Sequence, residues 1–244
     1  MLCSPEACCE AGQTPLPAGP RPILCYVTDR HAFEGVPASL DSSLPAGNRS
    51  SQDSSLLRDA IPNAIAAGVD WIQIREKDLE TRALVDLGRF AVAEAGVRGA
   101  SVFINDRLDV ALTVGAAGVH LGEKSLPVEE VAEWRRSAGR TDFRIGVSCH
   151  SLDSARTAER TGADYIFFGP VFETPSKMAF GQPQGTERLT EICASVKIPV
   201  LAIGGVNLEN ARGCIAAGVA GIAAIRLFQD ATDLAEIAAR LKAI

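Results

Sequence analysis

The chain has 244 residues, of which 47% are hydrophobic and 22% charged, with a formal net charge of −6. That is enough apolar material for one large core, and the acidic balance excludes a general attraction to nucleic acid or to an anionic membrane. Any anionic ligand must be held by a local cluster of cations.

Met1–Gly12 carries acids and cysteines where a signal peptide needs a basic start and an apolar core. Residues 1–22, rich in Pro, Gly, Ala and Cys without periodicity, are expected to form a disordered leader. Cys3, Cys8 and Cys9 cluster there, but no CxxC or nearby histidine completes a zinc site. Seven cysteines is an odd number, and Cys193 and Cys214 fall in apolar helical stretches, which predicts free thiols and a cytoplasmic location. The longest apolar stretch, Cys214–Ile225, is too short to span a bilayer.

A first strand is predicted at Ile23–Thr28, followed over residues 34–54 by a long first βα loop, rich in Ser, Pro and Gly and read as flexible. From residue 55 onward, helical and strand patterns alternate. Helices are predicted at Ser55–Ala67, Thr81–Ala95, Leu108–Val114, Pro127–Ser137, Leu152–Thr161, Glu187–Ser195, Leu208–Ala217 and Thr232–Ile244. The strands between them are Trp71–Arg75, Ser101–Asn105, Gly118–Leu121, Arg144–Ser148, Tyr165–Phe168, Val200–Ile203 and Gly221–Ile225. Such alternation predicts a parallel sheet. Similar helix-to-strand junctions recur at Gly68, Gly115, Gly162 and Gly218, where a helix can end at a left-handed glycine. The repeat favours a closed α/β form, a single (β/α)8 TIM barrel over residues 23–244. An open Rossmann sheet lacks its GxGxxG here.

In such a barrel the chemistry sits at the C-terminal ends of the strands. Arg75, Lys77, Asn105, Asp106, Ser148 and Lys177 all fall at those ends, a set suited to a phosphorylated substrate carried with a divalent ion. Strand alternation turns Gln73 and Arg75 inward. The structural alternative is an ion pair of Arg75 with Glu76 or Asp106. Asp106 has the chemistry of a Mg²⁺ ligand, and the alternative for Asn105-Asp106 is a helix cap. Thr174, Ser176 and Lys177 could cradle an anion, or belong to a turn-rich surface loop. Gly204-Gly205 and Ala223–Arg226 follow the pattern of a TIM-barrel phosphate pocket. His150 is the histidine best placed for proton transfer, whereas His120 inside a strand reads as a core residue. Cys149 and His150 point to opposite faces, which argues against a nucleophilic pair.

Six segments in this order resemble the thiamine-phosphate synthase family. They are Gln-Ile-Arg-Glu-Lys at 73–77, Ile-Asn-Asp-Arg at 104–107, Gly-Val-His-Leu-Gly at 118–122, Gly-Val-Ser-Cys-His at 146–150, Gly-Pro-Val-Phe-Glu-Thr-Pro-Ser-Lys at 169–177 and Ala-Ile-Gly-Gly-Val at 202–206. The resemblance implies a transferase that joins hydroxymethylpyrimidine diphosphate to hydroxyethylthiazole phosphate with Mg²⁺, releasing pyrophosphate. Gln73, Arg75, Lys77, Asn105, Ser148 and Lys177 would hold the pyrimidine diphosphate, with Lys177, Arg75 and Ser148 catalytic. Thr174, Ser176, Gly205, Ile225 and Arg226 would hold the thiazole phosphate, and Asp106 the metal.

Two positions depart from the family pattern. Ser125 stands where a second metal-binding aspartate is usual, with Glu123 nearby as a substitute, and Arg226 replaces a Ser/Thr-type residue. Both lean toward the related thiazole tautomerases, in which a histidine at the position of His150 moves the proton; intact Asn105-Asp106 favours the synthase. A non-catalytic barrel binding thiazole or thiamine phosphate is a third alternative. Small phosphorylated molecules are the expected partners, with no nucleic acid and no membrane; self-association into a homo-oligomer stays open.

Overall fold

The computed structural model describes residues 21–33, 46–122, 124–174 and 182–244. Strands β1 (Ile23–Val27), β2 (Trp71–Ile74), β3 (Ser101–Asn105), β4 (Gly118–Leu121), β5 (Arg144–Cys149), β6 (Tyr165–Phe168), β7 (Val200–Ile203) and β8 (Gly221–Ala224) close in sequence order into a barrel. Every neighbouring pair is parallel, and β8 returns to β1 with Ile23 opposite Gly221. The fold is the (β/α)8 barrel expected from the alternation. Around it run α1 (Ala46–Ala66), α2 (Thr81–Arg98), α3 (Leu108–Val114), α4 (Val128–Ser137), α5 (Leu152–Thr161), α6 (Gly185–Ser195), α7 (Ala211–Ala216), α8 (Arg226–Gln229) and α9 (Leu234–Lys242). Among the described residues no helix is long and apolar enough to cross a membrane.

Most helix ends fall within three residues of expectation, and two features depart further. Helix α1 starts at Ala46, well inside the segment read as a flexible loop; residues 34–45 lie outside the described residues, as do residues 1–20 of the expected leader. The Ser-rich start carries no apolar period, but Leu57, Ile61, Ala64 and Ile65 bury the later turns against the barrel. A helix nucleated by that packing extends at one hydrogen bond per residue, whatever the sequence period. The four-residue α8 was not anticipated, being too short to show a period at all. The junction glycines behave as expected: Gly68, Gly115, Gly162 and Gly218 all have positive φ.

Strand alternation sorts the core into two layers. Leu24, Ile72, Ile74, Ile104, Val119 and Ile166 face the helices. Ile23, Cys25, Val27, Trp71, Phe103, Tyr165, Phe167 and Leu201 fill the interior, so the barrel is a packed core and not a pore. Trp71 lies 4.8 Å from Tyr165 and 5.0 Å from Phe103 between ring centroids. Gly146 makes room for this cluster, since a Cβ there would sit 2.1 Å from Tyr165 Cζ. Gly146→Ala is therefore expected to cost about 3 kcal/mol of stability through overpacking, read as a lower midpoint in a urea melt.

Candidate active site

At the ends of β2 and β3 the side chains link in a line. Gln73, 2% exposed, donates from Nε2 to Asn105 Oδ1 at 2.9 Å, and Asn105 Nδ2 donates to Asp106 Oδ2 at 2.7 Å. The other oxygen of Asp106 accepts from Gly122 N at 3.2 Å and from the Ser125 hydroxyl, while Ser125 Oγ also accepts from Gly122 N at 2.6 Å. Asp106 adopts φ +61°, a left-handed conformation that Asp tolerates better than most residues and that turns its carboxylate back toward β4. Because a carboxylate only accepts, the amide of Asn105 must present its NH₂ to Asp106. Its oxygen must then face the NH₂ of Gln73. This ordering leaves Gln73 Oε1 buried and without a hydrogen bond among the described residues. A buried acceptor left open at a barrel mouth calls for a donor from a ligand.

The loop Arg75–Asp78 is fastened by a residue that the motifs did not single out. Arg30, 6% exposed just after β1, donates from Nη1 to Glu76 Oε2 at 3.2 Å and grips Asp78 with Nη1 and Nη2 at 2.7 and 2.6 Å. Thr28 Oγ1 donates to Glu76 Oε1 at 2.6 Å and accepts from Arg75 N at 3.0 Å. Burial pushes the Glu76 carboxyl up against the pull of Thr28 and Arg30. Hydrogen bonding to Arg30 holds Asp78 well below the usual carboxylate range. Glu76 is thus committed to Arg30, and the alternative of an Arg75–Glu76 or Arg75–Asp106 ion pair is not found among the described residues. A cation two residues past the predicted first strand, Ile23–Thr28, was the signal that could have found Arg30. Arg30→Met is expected to cost about 3 kcal/mol of stability, since Glu76 stays buried without its counter-charge; a denaturant melt measures it.

Lys77, Asn105 and Asp106 line a cavity of about 170 Å³. Ser148, half-buried at the inward side of β5, lies 2.9 Å from Nε2 of His120. His120 is buried, as its place in β4 predicts, yet it touches a site residue. His150 sits past β5 with Nδ1 bonded to the Gly169 carbonyl; because a carbonyl only accepts, that nitrogen carries the hydrogen. Cys149 turns into the helix-facing core, as strand alternation requires.

A second cavity, about 240 Å³, opens at β7 and β8 and is lined by Glu173, Thr174, Gly204, Gly205, Ile225 and Arg226. It brings together four residues predicted to share a phosphate pocket. Phe172 N donates to Gly204 O at 3.0 Å, and Asn210 Nδ2 to Gly205 O at 2.9 Å, which fixes the turn. Gly205 has φ +68°, and a Cβ on it would lie 2.4 Å from the Glu173 carbonyl oxygen. Glu123, Ser176 and Lys177 lie outside the described residues. Among the described residues no three His, Cys, Asp or Glu side chains gather as a metal cluster.

Known proteins are similar to this chain in sequence and in fold. A family model described as thiamine monophosphate synthase matches residues 48–228. A thiamine-phosphate synthase of Moorella thermoacetica is 43% identical over 186 residues, covering 76% of this chain and 87% of its own length. A putative thiamine-phosphate synthase of Geobacter sulfurreducens is 42% identical over 202 residues, covering 83% and 84%. The solved thiamine phosphate pyrophosphorylase of Pyrococcus furiosus superposes with a TM-score of 0.71 at 34% identity, over 91% of this chain and 94% of that one. The family match runs from α1 to α8 and takes in both cavities and the Gln73–Ser125 line, and so the chain belongs to the thiamine monophosphate synthase family.

Proposed function

We propose that this enzyme couples hydroxymethylpyrimidine diphosphate to hydroxyethylthiazole phosphate, giving thiamine phosphate and pyrophosphate. One observation carries the reading: polar groups gather at two separate places at the C-terminal ends of the strands. One is the Gln73–Asn105–Asp106 line at β2 and β3, and the other is the cavity at β7 and β8 around Gly205. Two phosphorylated substrates that must meet need such a pair. The open acceptor of Gln73 suits an N–H of the pyrimidine.

In the coupling, the bond between the pyrimidine methylene and the diphosphate oxygen breaks, and its electron pair leaves with pyrophosphate. The thiazole nitrogen then supplies the electron pair of the new C–N bond. No proton moves, so the work asked of the protein is orientation and stabilisation of the departing charge. Arg75 and Lys77, on a loop anchored by Arg30, would hold the diphosphate, with Asn105, Ser148 and Lys177. Thr174, Ser176, Gly205, Ile225 and Arg226 would hold the thiazole phosphate at the distance its nitrogen needs.

The donor set fits Mg²⁺, an ion commonly held by one or two carboxylates and by the phosphates of its substrate. Asp106 offers the carboxylate, and its bond to Asn105 keeps it oriented. When bound, the ion neutralises charge on the diphosphate. Ser125, bonded to Asp106 and Gly122, serves that carboxylate as a neighbour. The same reading puts the enzyme in the cytoplasm, where Cys25, Cys149, Cys193 and Cys214 stay free thiols.

Purified protein given both substrates and Mg²⁺ should release pyrophosphate steadily, in step with thiamine phosphate. Tight binding of thiazole phosphate with no release would replace coupling by a sensor role. Gly205→Ala should raise the KM for the thiazole phosphate about tenfold, leaving that for the pyrimidine diphosphate close to the parent value.

A further inference from the structure

Tyr165, His120 and Ser148 form a chain of hydrogen bonds, of which the coupling reaction above uses only Ser148. Tyr165 and His120 are each 1% exposed. His120 Nδ1 lies 3.3 Å from the Tyr165 hydroxyl, and Nε2 lies 2.9 Å from Ser148 Oγ. The rings of Phe167 and Tyr165, with centroids 4.1 and 5.6 Å from that of His120, flank the imidazole.

The position of each hydrogen follows from the donors and acceptors present. Burial pushes the Tyr165 phenol well above the ordinary tyrosine range, so it keeps its proton. Among the described residues, Nδ1 of His120 is the hydrogen-bond partner of that phenol. A phenol hydrogen buried with no acceptor costs about 1–3 kcal/mol, so the phenol donates and Nδ1 accepts. Nε2 then carries the imidazole hydrogen and donates it to Ser148 Oγ. The serine oxygen accepts from below, and its own hydrogen is left for the mouth of the barrel. In the opposite tautomer Ser148 would donate to His120, and the phenol hydrogen would be stranded.

We propose that Tyr165 and His120 are positioning residues that fix Ser148 as a hydrogen-bond donor to the pyrimidine diphosphate, an inference that rests on the coupling reaction above. A serine hydroxyl normally rotates among its partners. Here the fixed tautomer removes the competing orientation before substrate arrives, which lowers the reorganisation needed at the reacting centre.

Two measurements decide it, and the first needs no activity. Nitrogen-15 NMR of the ligand-free protein should show His120 as the neutral Nε2–H tautomer; an Nδ1–H tautomer overturns the proposal. In the second, Tyr165→Phe should lower kcat/KM for the pyrimidine diphosphate about fivefold in the parent, but less than about twofold in a Ser148→Ala background. An equal loss in both backgrounds means that Tyr165 acts on packing alone and overturns it. Should Tyr165→Phe not fold, His120→Gln, whose amide can still donate to Ser148, should retain clearly more activity than His120→Leu; equal losses overturn it. A parent protein that releases no pyrophosphate defeats the coupling reading, while the tautomer result still decides the hydrogen-bond chain.

Discussion

Lys177→Ala is expected to cut the coupling rate on the order of 10²-fold or more, while His150→Ala leaves it within about threefold. Breaking the methylene–oxygen bond concentrates charge on a diphosphate, and Lys177, if it holds that diphosphate as proposed, would act mainly in the transition state. Its loss should therefore fall on kcat more than on KM. His150 has no proton to move in this reaction, and its Nδ1 is already bonded to the Gly169 carbonyl. In a thiazole tautomerase the ranking reverses, because a histidine would carry the proton between carbon positions. Single-turnover assays of both variants with each substrate set separate the two chemistries. The reverse ranking, with no coupling in the parent protein, would contradict the synthase reading.

Asp106→Ala should reduce turnover below about a thousandth of the parent rate, the largest effect expected of any side chain here. Its carboxylate, proposed above to hold Mg²⁺, is the charged group in the line that runs from Gln73 to Ser125. Alanine at φ +61° would also strain the backbone by about 1 kcal/mol, so Asp106→Asn is the cleaner variant. It keeps the size and the turn and removes only the charge. An unchanged melting temperature with turnover lost would place the effect in chemistry. Ser125→Asp tests the same position from the other side. Two carboxylates would then meet where Asp106 now takes a hydrogen bond from Ser125, so the free protein should melt earlier. Mg²⁺ should raise its melting temperature more than it raises the parent's. Equal Mg²⁺ shifts in parent and Ser125→Asp would remove the metal from this corner of the site.

The sequence by itself determined the barrel, because each strand and most helices announce their buried face through local periodicity. It also placed Gln73, Asn105 and Asp106 at strand ends, and alternation alone turned Gln73 inward. The cavity at β7 and β8 was legible because Gly204-Gly205 and Ile225-Arg226 follow successive strands. Only the tertiary structure decided who bonds to whom. Arg30 and Glu76 are 46 residues apart, and nothing local to either predicts that Glu76 answers to Arg30 and leaves Arg75 unpaired by it. His120 read as core, which it is, but its contact with Ser148 depends on the register in which the neighbouring strands β4 and β5 pair. The start of α1 at Ala46 was hidden for a related reason, since tertiary packing of its later turns sustains a polar stretch with no period of its own. Periodicity is a short-range signal that fixes which side of an element is buried. Partners across the mouth are set by strand register and barrel closure, which no local pattern records.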